Sequence, residues 1–456
     1  MPPANPPDRF IQSAAPRREL TLFDSTCIIV GIIIGAGIYE STPAIARYTA
    51  DLGWFMGVWL LGGFLSLIGA LCYAELATTY PEEGGDYVYL TRAFGRQMGF
   101  VFAWSQLWIV RPGSIGAMAF VFARYAQRLW PLGDGPYALM AYAAGSIVVL
   151  TGINIVGVRE GKWTQNLLTC LKVLGLVAIC IVGFWLQSPQ NSPPPAYSDE
   201  PDLRLAMILV LFIYGGWNEM AYVGAEIRRP EKNILRALLL GTFAVTIIYV
   251  LACWAFVHGL GFQTVQNSQG VAADLLQKAF GDLGGRAISL LICISSLGAI
   301  NGQIFTGARI AYAFGKEHPG FGWLGTWSAR YGTPVWSLLA QTVVTLALVV
   351  GFGLSAKGFE SMVKFTTPVF FFFFMMVGIA LFMLRWRVPE KPRPFRTPLY
   401  PLTPIVFCLS SVLMLYASLS YAIEYRSYEA LWSILIMILG VLWAWFEDKE
   451  NKKFTP

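Results

Sequence analysis

The chain has 456 residues, 56% of them hydrophobic and only 13% charged, whereas a soluble domain carries about 25% charged and about 45–50% apolar residues. That surplus excludes an ordinary soluble domain and points to a chain whose solvent is the lipid bilayer. The net charge of +6 is spread among short connections without a basic patch interleaved with aromatics, so no nucleic-acid partner is expected.

In chain order, residues 1–20 are polar and rich in Pro and Arg. The apolar run behind them is too long for a secretory h-region, so they read as a cytoplasmic tail. Twelve apolar blocks follow, each long enough to cross a hydrocarbon core of about 30 Å. They lie roughly at 21–48, 54–79, 98–124, 136–156, 163–187, 203–228, 234–259, 285–315, 334–354, 359–385, 402–422 and 429–446. Between the second and third, Gly84–Gly95 (GGDYVYLTRAFG) suits a short helix lying in the membrane plane. The connection Gln187–Asp202 contains SPQNSPPP, which cannot be helical because proline lacks the amide donor. Residues 447–456 read as a second tail, and no stretch leaves room for a soluble domain. Cys27, Cys72, Cys170, Cys180, Cys253, Cys293 and Cys408 all sit inside apolar runs. With His258 and His318 far apart, no metal centre and no cofactor are expected.

Charge placement gives an orientation. If the N-terminus is inside and the spans alternate, 22 of the 33 Lys and Arg fall on inner segments and nine on outer ones. This positive-inside bias predicts a multi-pass protein of the cell membrane with both termini cytoplasmic.

Two spans are interrupted by glycine. The first reads GIIIGAGIYE, Gly31 to Glu40, and the sixth reads LFIYGGWNE, Leu211 to Glu219. Five spans apart, they cross in opposite directions. Breaks at matching positions of two five-helix halves, 21–187 and 203–385, are the sequence pattern of an inverted-repeat transporter. A helix broken at the midplane frees N–H groups on one half and carbonyls on the other, which hydrocarbon cannot satisfy. The N–H ends suit a carboxylate and the carbonyl ends an ammonium, so one site reads a zwitterion without a charged side chain. Glycine in membrane helices also serves close packing, and Gly31 and Gly35 have that spacing. The repetition of the break is what favours a binding site. Gly35, Gly37, Gly215 and Gly216 are expected to resist any side chain, because a Cβ would fill the space where backbone and substrate meet.

Several segments, in this order and spacing, resemble the amino acid–polyamine–organocation superfamily and, within it, the L-type amino acid transporter family. They are GIIIGAGIYESTP (31–43), GALCYAELATTYPEEGGDYVYL (69–90), WIVRPGS (108–114), FIYGGWN (212–218), RRPEKNILRA (228–237) and GAINGQIFTGAR (298–309). The resemblance covers nearly the whole chain. It implies an all-α membrane fold of twelve transmembrane helices. A five-plus-five inverted-repeat, LeuT-like core with broken helices one and six is joined by two further helices at 386–446. It also implies sodium-independent transport of amino acids, commonly by exchange.

Residue by residue, the resemblance makes Gly35–Ala36–Gly37 the carboxylate-binding turn and assigns the amino group to carbonyls near Ile33, Phe212 and Gly215. Phe212 matches an aromatic that closes over substrate, and Asn218 a polar residue beside the pocket. Lys172 matches a buried lysine of the fifth helix. Its ammonium either ties helices together or replaces the sodium of related transporters, bridging the first helix to the eighth near Ser295 and Ser296. Arg111 in WIVRPGS matches a family motif and is expected to meet a cavity or a partner, with the carbonyl freed by Pro112 in reach.

Three departures stand out. Ala36 replaces a serine common in the first turn. Glu219 stands where a neutral residue is more frequent; it is expected to face the cytoplasm in an ordinary ion pair or, if it faces the cavity, to attract a cationic substrate. The outer connection Tyr125–Pro136 lacks the cysteine with which animal members hold a single-pass subunit, so no disulfide-linked heavy subunit is expected. The expected substrates are small or medium neutral amino acids. A proton-coupled or cationic amino acid/polyamine permease is the alternative. The spans offer no paired catalytic groups for a membrane enzyme and no rings of repeated polar residues for a channel.

Overall fold

A computed structural model of the chain describes residues 16–133, 135–187, 201–354, 358–424 and 428–454, with side chains as far as Glu447. Most of the expected N-terminal tail and of the 187–202 connection lies outside the described residues.

The helices in order are α1 (Leu22–Ile33), α2 (Gly37–Glu40), α3 (Thr42–Arg47), α4 (Leu52–Thr79), α5 (Asp86–Phe94), α6 (Arg96–Ser105), α7 (Arg111–Leu129), α8 (Pro136–Val156), α9 (Val158–Trp185), α10 (Leu203–Ile213), α11 (Pro230–Leu260), α12 (Phe262–Asn267), α13 (Val271–Phe280), α14 (Asp282–Glu317), α15 (Val335–Gly353), α16 (Gly358–Arg387), α17 (Leu402–Glu424) and α18 (Tyr428–Phe454). Among the described residues, twelve helical stretches are long and apolar enough to cross a membrane, and no strands occur. The fold is the expected all-α multi-pass one. The Gly84–Gly95 segment forms α5. The first span ends at Glu40 rather than 48, because α3 is a separate short helix. The eighth runs longer than expected, over Asp282–Glu317.

Apolar side chains cover both the inside and the outside, as lipid requires. Leu174 of α9 and Leu413 of α17 are about two-thirds exposed, while Ile28, Ile29 and Ile33 of α1 are buried. The helix α1 is therefore central. It packs against α9, α11 and α14 and touches the turn after α10.

Both breaks form as the glycines direct. Thr21 and Asp24 close a reciprocal cap at the start of α1. At its far end Ile34 leaves helical geometry (φ −73°, ψ 81°), and the helix resumes at Gly37. In the sixth span α10 ends at Ile213, Gly216 takes the left-handed φ of 111°, and a 3₁₀ turn covers Trp217–Tyr222. The two breaks interlock. A Cβ on Gly216 would lie 2.7 Å from Cγ2 of Ile32, and one on Gly37 would lie 2.8 Å from Cγ1 of Ile213. Gly35 differs: a Cβ there would meet Met118 Sδ at 3.5 Å and the Ile33 carbonyl oxygen at 4.0 Å, both ordinary contacts. A side chain there would enter the cavity rather than the protein wall.

One turn of π-helix, Gln106–Val110, joins α6 to α7 immediately before Arg111 and Pro112. Proline cannot donate to the preceding turn, and the wider turn absorbs the missing bond.

Candidate functional site: a cavity between the two breaks

A cavity of about 130 Å³ lies where the breaks meet. Ile33, Gly35, Ala36 and Gly37 line it from the first span, and Phe212, Gly215, Gly216 and Glu219 from the sixth. Arg111, Ser114 and Met118 of α7, Gln303 of α14, and Phe359, Thr366 and Phe370 of α16 complete the wall. Seven of the eight expected substrate contacts thus converge on one space. The exception is Asn218, which is fully buried and donates to the Tyr222 hydroxyl at 2.9 Å; it does not line the cavity.

The backbone supplies both kinds of end group. Ala36 and Gly37 stand at the start of the second half of the first span, where N–H groups have no acceptor four residues back. On the other half the carbonyls are partly committed. The expected acceptor Ile33 already takes the Tyr249 hydroxyl at 2.8 Å and the Gly35 N–H at 2.7 Å, so it is not free for an ammonium. The Phe212 carbonyl, which lines the site, accepts the Gly215 N–H at 3.0 Å and is also approached by the Tyr214 N–H.

Lys172 lies behind α1, fully buried. Its Nζ donates to the carbonyls of Gly31 at 2.7 Å, Ile34 at 2.9 Å and Ser295 at 2.8 Å. The Ser295 hydroxyl donates to Ile34 as well, at 2.9 Å, whereas the Ser296 hydroxyl is buried without a partner. The bridge runs through Ser295 and bypasses Ser296. Hydrogen bonds to a charged group contribute about 1.5–3 kcal/mol each, enough together to offset an insertion cost of about 2.5–3.5 kcal/mol. Gly298 makes room for the ammonium, since a Cβ there would stand 2.7 Å from Nζ.

Arg111 and Glu219 form one unit in the cavity wall. Arg111 Nη1 donates to Glu219 Oε2 at 2.6 Å, and the Thr306 hydroxyl donates to the same oxygen at 2.6 Å. Arg111 Nε donates to Gln106 Oε1 at 3.0 Å, and the guanidinium lies 4.7 Å from the centre of the Tyr222 ring. Glu219 is 5% exposed. The expectation of an ordinary cytoplasm-facing pair is therefore corrected: the pair is buried, it lines the cavity, and its partner is Arg111. Nor does Arg111 use a carbonyl freed by Pro112.

The two ends of the cavity differ. Toward Glu40 and Ser41 the wall is half-exposed, and Glu40 faces Arg124 at 3.8 Å. Toward Leu20 it is sealed. The N–H of Leu20 donates to the Glu226 carbonyl and the N–H of Arg228 to that of Leu20, both at 2.9 Å. Arg309 grips Glu226 at 2.7 and 3.1 Å with both groups 1% exposed. Sequence reading missed this pair, Thr306, Gln303 and the α16 wall. They come together only through long-range packing. No group of potential metal ligands occurs among the described residues.

Twelve apolar helices, two of them broken and interlocked around a cavity closed at one end, define a multi-pass membrane transporter. The comparisons say which kind. Residues 20–443 match the amino acid permease family model. The human large neutral amino acids transporter small subunit 2 is 32% identical over 419 residues, covering 88% of this chain and 76% of the relative. The serine/threonine exchanger SteT of Bacillus subtilis (strain 168) is 30% identical over 88% of this chain and 91% of its own length. The mouse b(0,+)-type amino acid transporter 1 is 28% identical over 95% and 88%. The chain belongs to the amino acid permease family, and it is an amino acid transporter, not an enzyme.

Proposed function

We propose that this transporter exchanges neutral amino acids by alternating access and needs no sodium. The observation that carries the reading is the Lys172 ammonium on the carbonyls of Gly31, Ile34 and Ser295. A fixed cation there supplies the charge that a bound ion would bring, at the joint between the first span and α14.

Neutral substrates follow from the wall. Both acidic side chains that line the cavity face an arginine, Glu219 facing Arg111 and Glu40 facing Arg124. Neither carboxylate is left to select a cation. The substrate carboxylate sits at the N–H groups of Ala36 and Gly37, its ammonium near the Phe212 carbonyl, and the Phe212 ring covers it. Residues 21–187 and 203–385 act as the two inverted repeats, with 386–446 appended. The Lys and Arg bias puts the Leu20 end in the cytoplasm, so the cavity opens outward from the cell membrane and both termini are cytoplasmic. Without a cysteine in Tyr125–Pro136, the chain works without a disulfide-linked subunit.

The test is counterflow in proteoliposomes loaded with single amino acids in sodium-free choline buffer. Undiminished exchange is expected, with loss of at least tenfold in Lys172→Ala, whose carbonyls are left buried and unsatisfied. Exchange that vanishes in choline and returns with sodium overturns the reading.

A further inference from the structure

Asp86 opens α5 just outside the membrane spans, and its residue is 1% exposed. Its Oδ2 accepts from the Tyr73 hydroxyl of α4 at 2.9 Å and from the Tyr222 hydroxyl beyond the α10 break at 2.7 Å. Its Oδ1 is buried and meets no donor among the described residues. No cation touches it among the described residues. Arg111 stacks on Tyr222 but is committed to Glu219.

The surroundings leave the carboxylate poorly matched to a negative charge. Glu219 adds repulsion from beyond Tyr222, and Tyr89 shares the helix. The other helices against α5 bring charges that go elsewhere. Glu317 of α14 accepts from Tyr87, Arg387 of α16 donates to the Ala93 carbonyl, and Arg96 of α6 donates to the Glu317 carbonyl. Burial pushes the Asp86 carboxyl up to about 7, against the opposing pull of the Tyr222 and Tyr73 hydroxyls and, through space, of Arg111.

The location gives this group its use. Alongside it the chain closes the Leu20 end: Gly84 N–H donates to the Tyr222 carbonyl at 3.1 Å, and Glu83 pairs with Val223. An opening that breaks these contacts would part Tyr222 from α5 and let water reach the carboxylate.

We propose that Asp86 is a proton-binding site through which pH on the Leu20 side controls opening of the seal. Closing takes one proton from water on that side, and opening returns it to the same side. The proton regulates exchange and is not carried across. The inference rests on the alternating-access reading above.

The sign follows from linkage. A hydrated aspartate titrates near 3.9, below the closed state's value of about 7. Between those values the closed state holds a proton that the open state has lost. Raising pH through this window therefore favours opening, and above it the effect levels off.

The experiment is counterflow with the same pH on both sides, stepped from 5.5 to 8.5. Wild-type exchange is expected to rise roughly tenfold and to level off above about pH 7. Asp86→Asn keeps an acceptor for both tyrosines and cannot ionise, so its profile is expected to be flat. Tyr73→Phe removes a donor that favours the ionised form, so its plateau is expected to move to higher pH. A wild-type profile that is flat, or one that Asp86→Asn reproduces, overturns the inference. If Asp86→Asn is inactive, an unmoved plateau in Tyr73→Phe does the same. Absence of counterflow at every pH sinks the exchange reading along with this one, whereas robust counterflow with unchanged profiles sinks only this one.

Discussion

The sealed and open ends of the cavity use the same chemistry at opposite degrees of burial. At the Leu20 end, Arg309 and Glu226 meet at 2.7 Å with both side chains 1% exposed. Beside the breaks, Arg111 and Glu219 meet at 2.6 Å, 5% and 6% exposed. At the mouth, Arg124 and Glu40 stand 3.8 Å apart, 44% and 20% exposed. Exposed pairs contribute about 0–1 kcal/mol, whereas removing one partner of a buried pair costs about 3–5 kcal/mol. The difference teaches why the molecule rests with its Leu20 end shut. Breaking that end strands charges in a dry interior, while closing or opening the other disturbs only wet ones.

Three substitutions probe this gradient. Arg309→Ala leaves Glu226 buried and unpaired, and should cost about 3–5 kcal/mol, seen as the largest fall in the unfolding temperature of the purified protein. A loss below about 1 kcal/mol would mean that the seal does not depend on this pair. Glu219→Gln keeps the shape and an acceptor but leaves Arg111 without its counter-charge. It should cost about 1–3 kcal/mol and slow counterflow of neutral amino acids about tenfold. Unchanged counterflow would show that the pair only decorates the wall. Glu40→Gln should shift stability by at most about 1 kcal/mol and alter exchange less than twofold. A large effect at the mouth would erase the contrast between the ends.

Much of this was legible in the chain because membrane crossing imposes length and apolarity, and because a break at midplane depth needs glycine where it turns. GAG and YGGW marked both breaks, and Gly216 does adopt a left-handed conformation. Pairings were not legible. Arg111 and Glu219 lie 108 residues apart, and nothing local in either segment says that α7 and the sixth span meet there. The sequence leaves Glu219 between a cytoplasm-facing pair and the cavity, because a carboxylate among apolar residues has no visible partner in one dimension. Asp86 was hidden for a related reason: GGDYVYL reads as the start of a short helix in the membrane plane, and only the packing of Tyr73 and Tyr222 makes its aspartate an interior group. Asn218 adjoins the glycine motif in sequence, yet the 3₁₀ turn after Gly216 carries it away from the cavity toward Tyr222.

The interlock of the breaks has a mechanical consequence. Ile32 occupies the space that a side chain on Gly216 would need, and Ile213 the space that one on Gly37 would need. Each break is thus the socket for the other's knob. Volume added at Gly37 must be removed from Ile213, whereas a side chain on Gly216, at φ 111°, stays strained even if Ile32 is cut back. The same geometry makes the two interruptions a single hinge pin: a displacement of either half-helix is handed to its counterpart by direct contact, without passing through the helices around them.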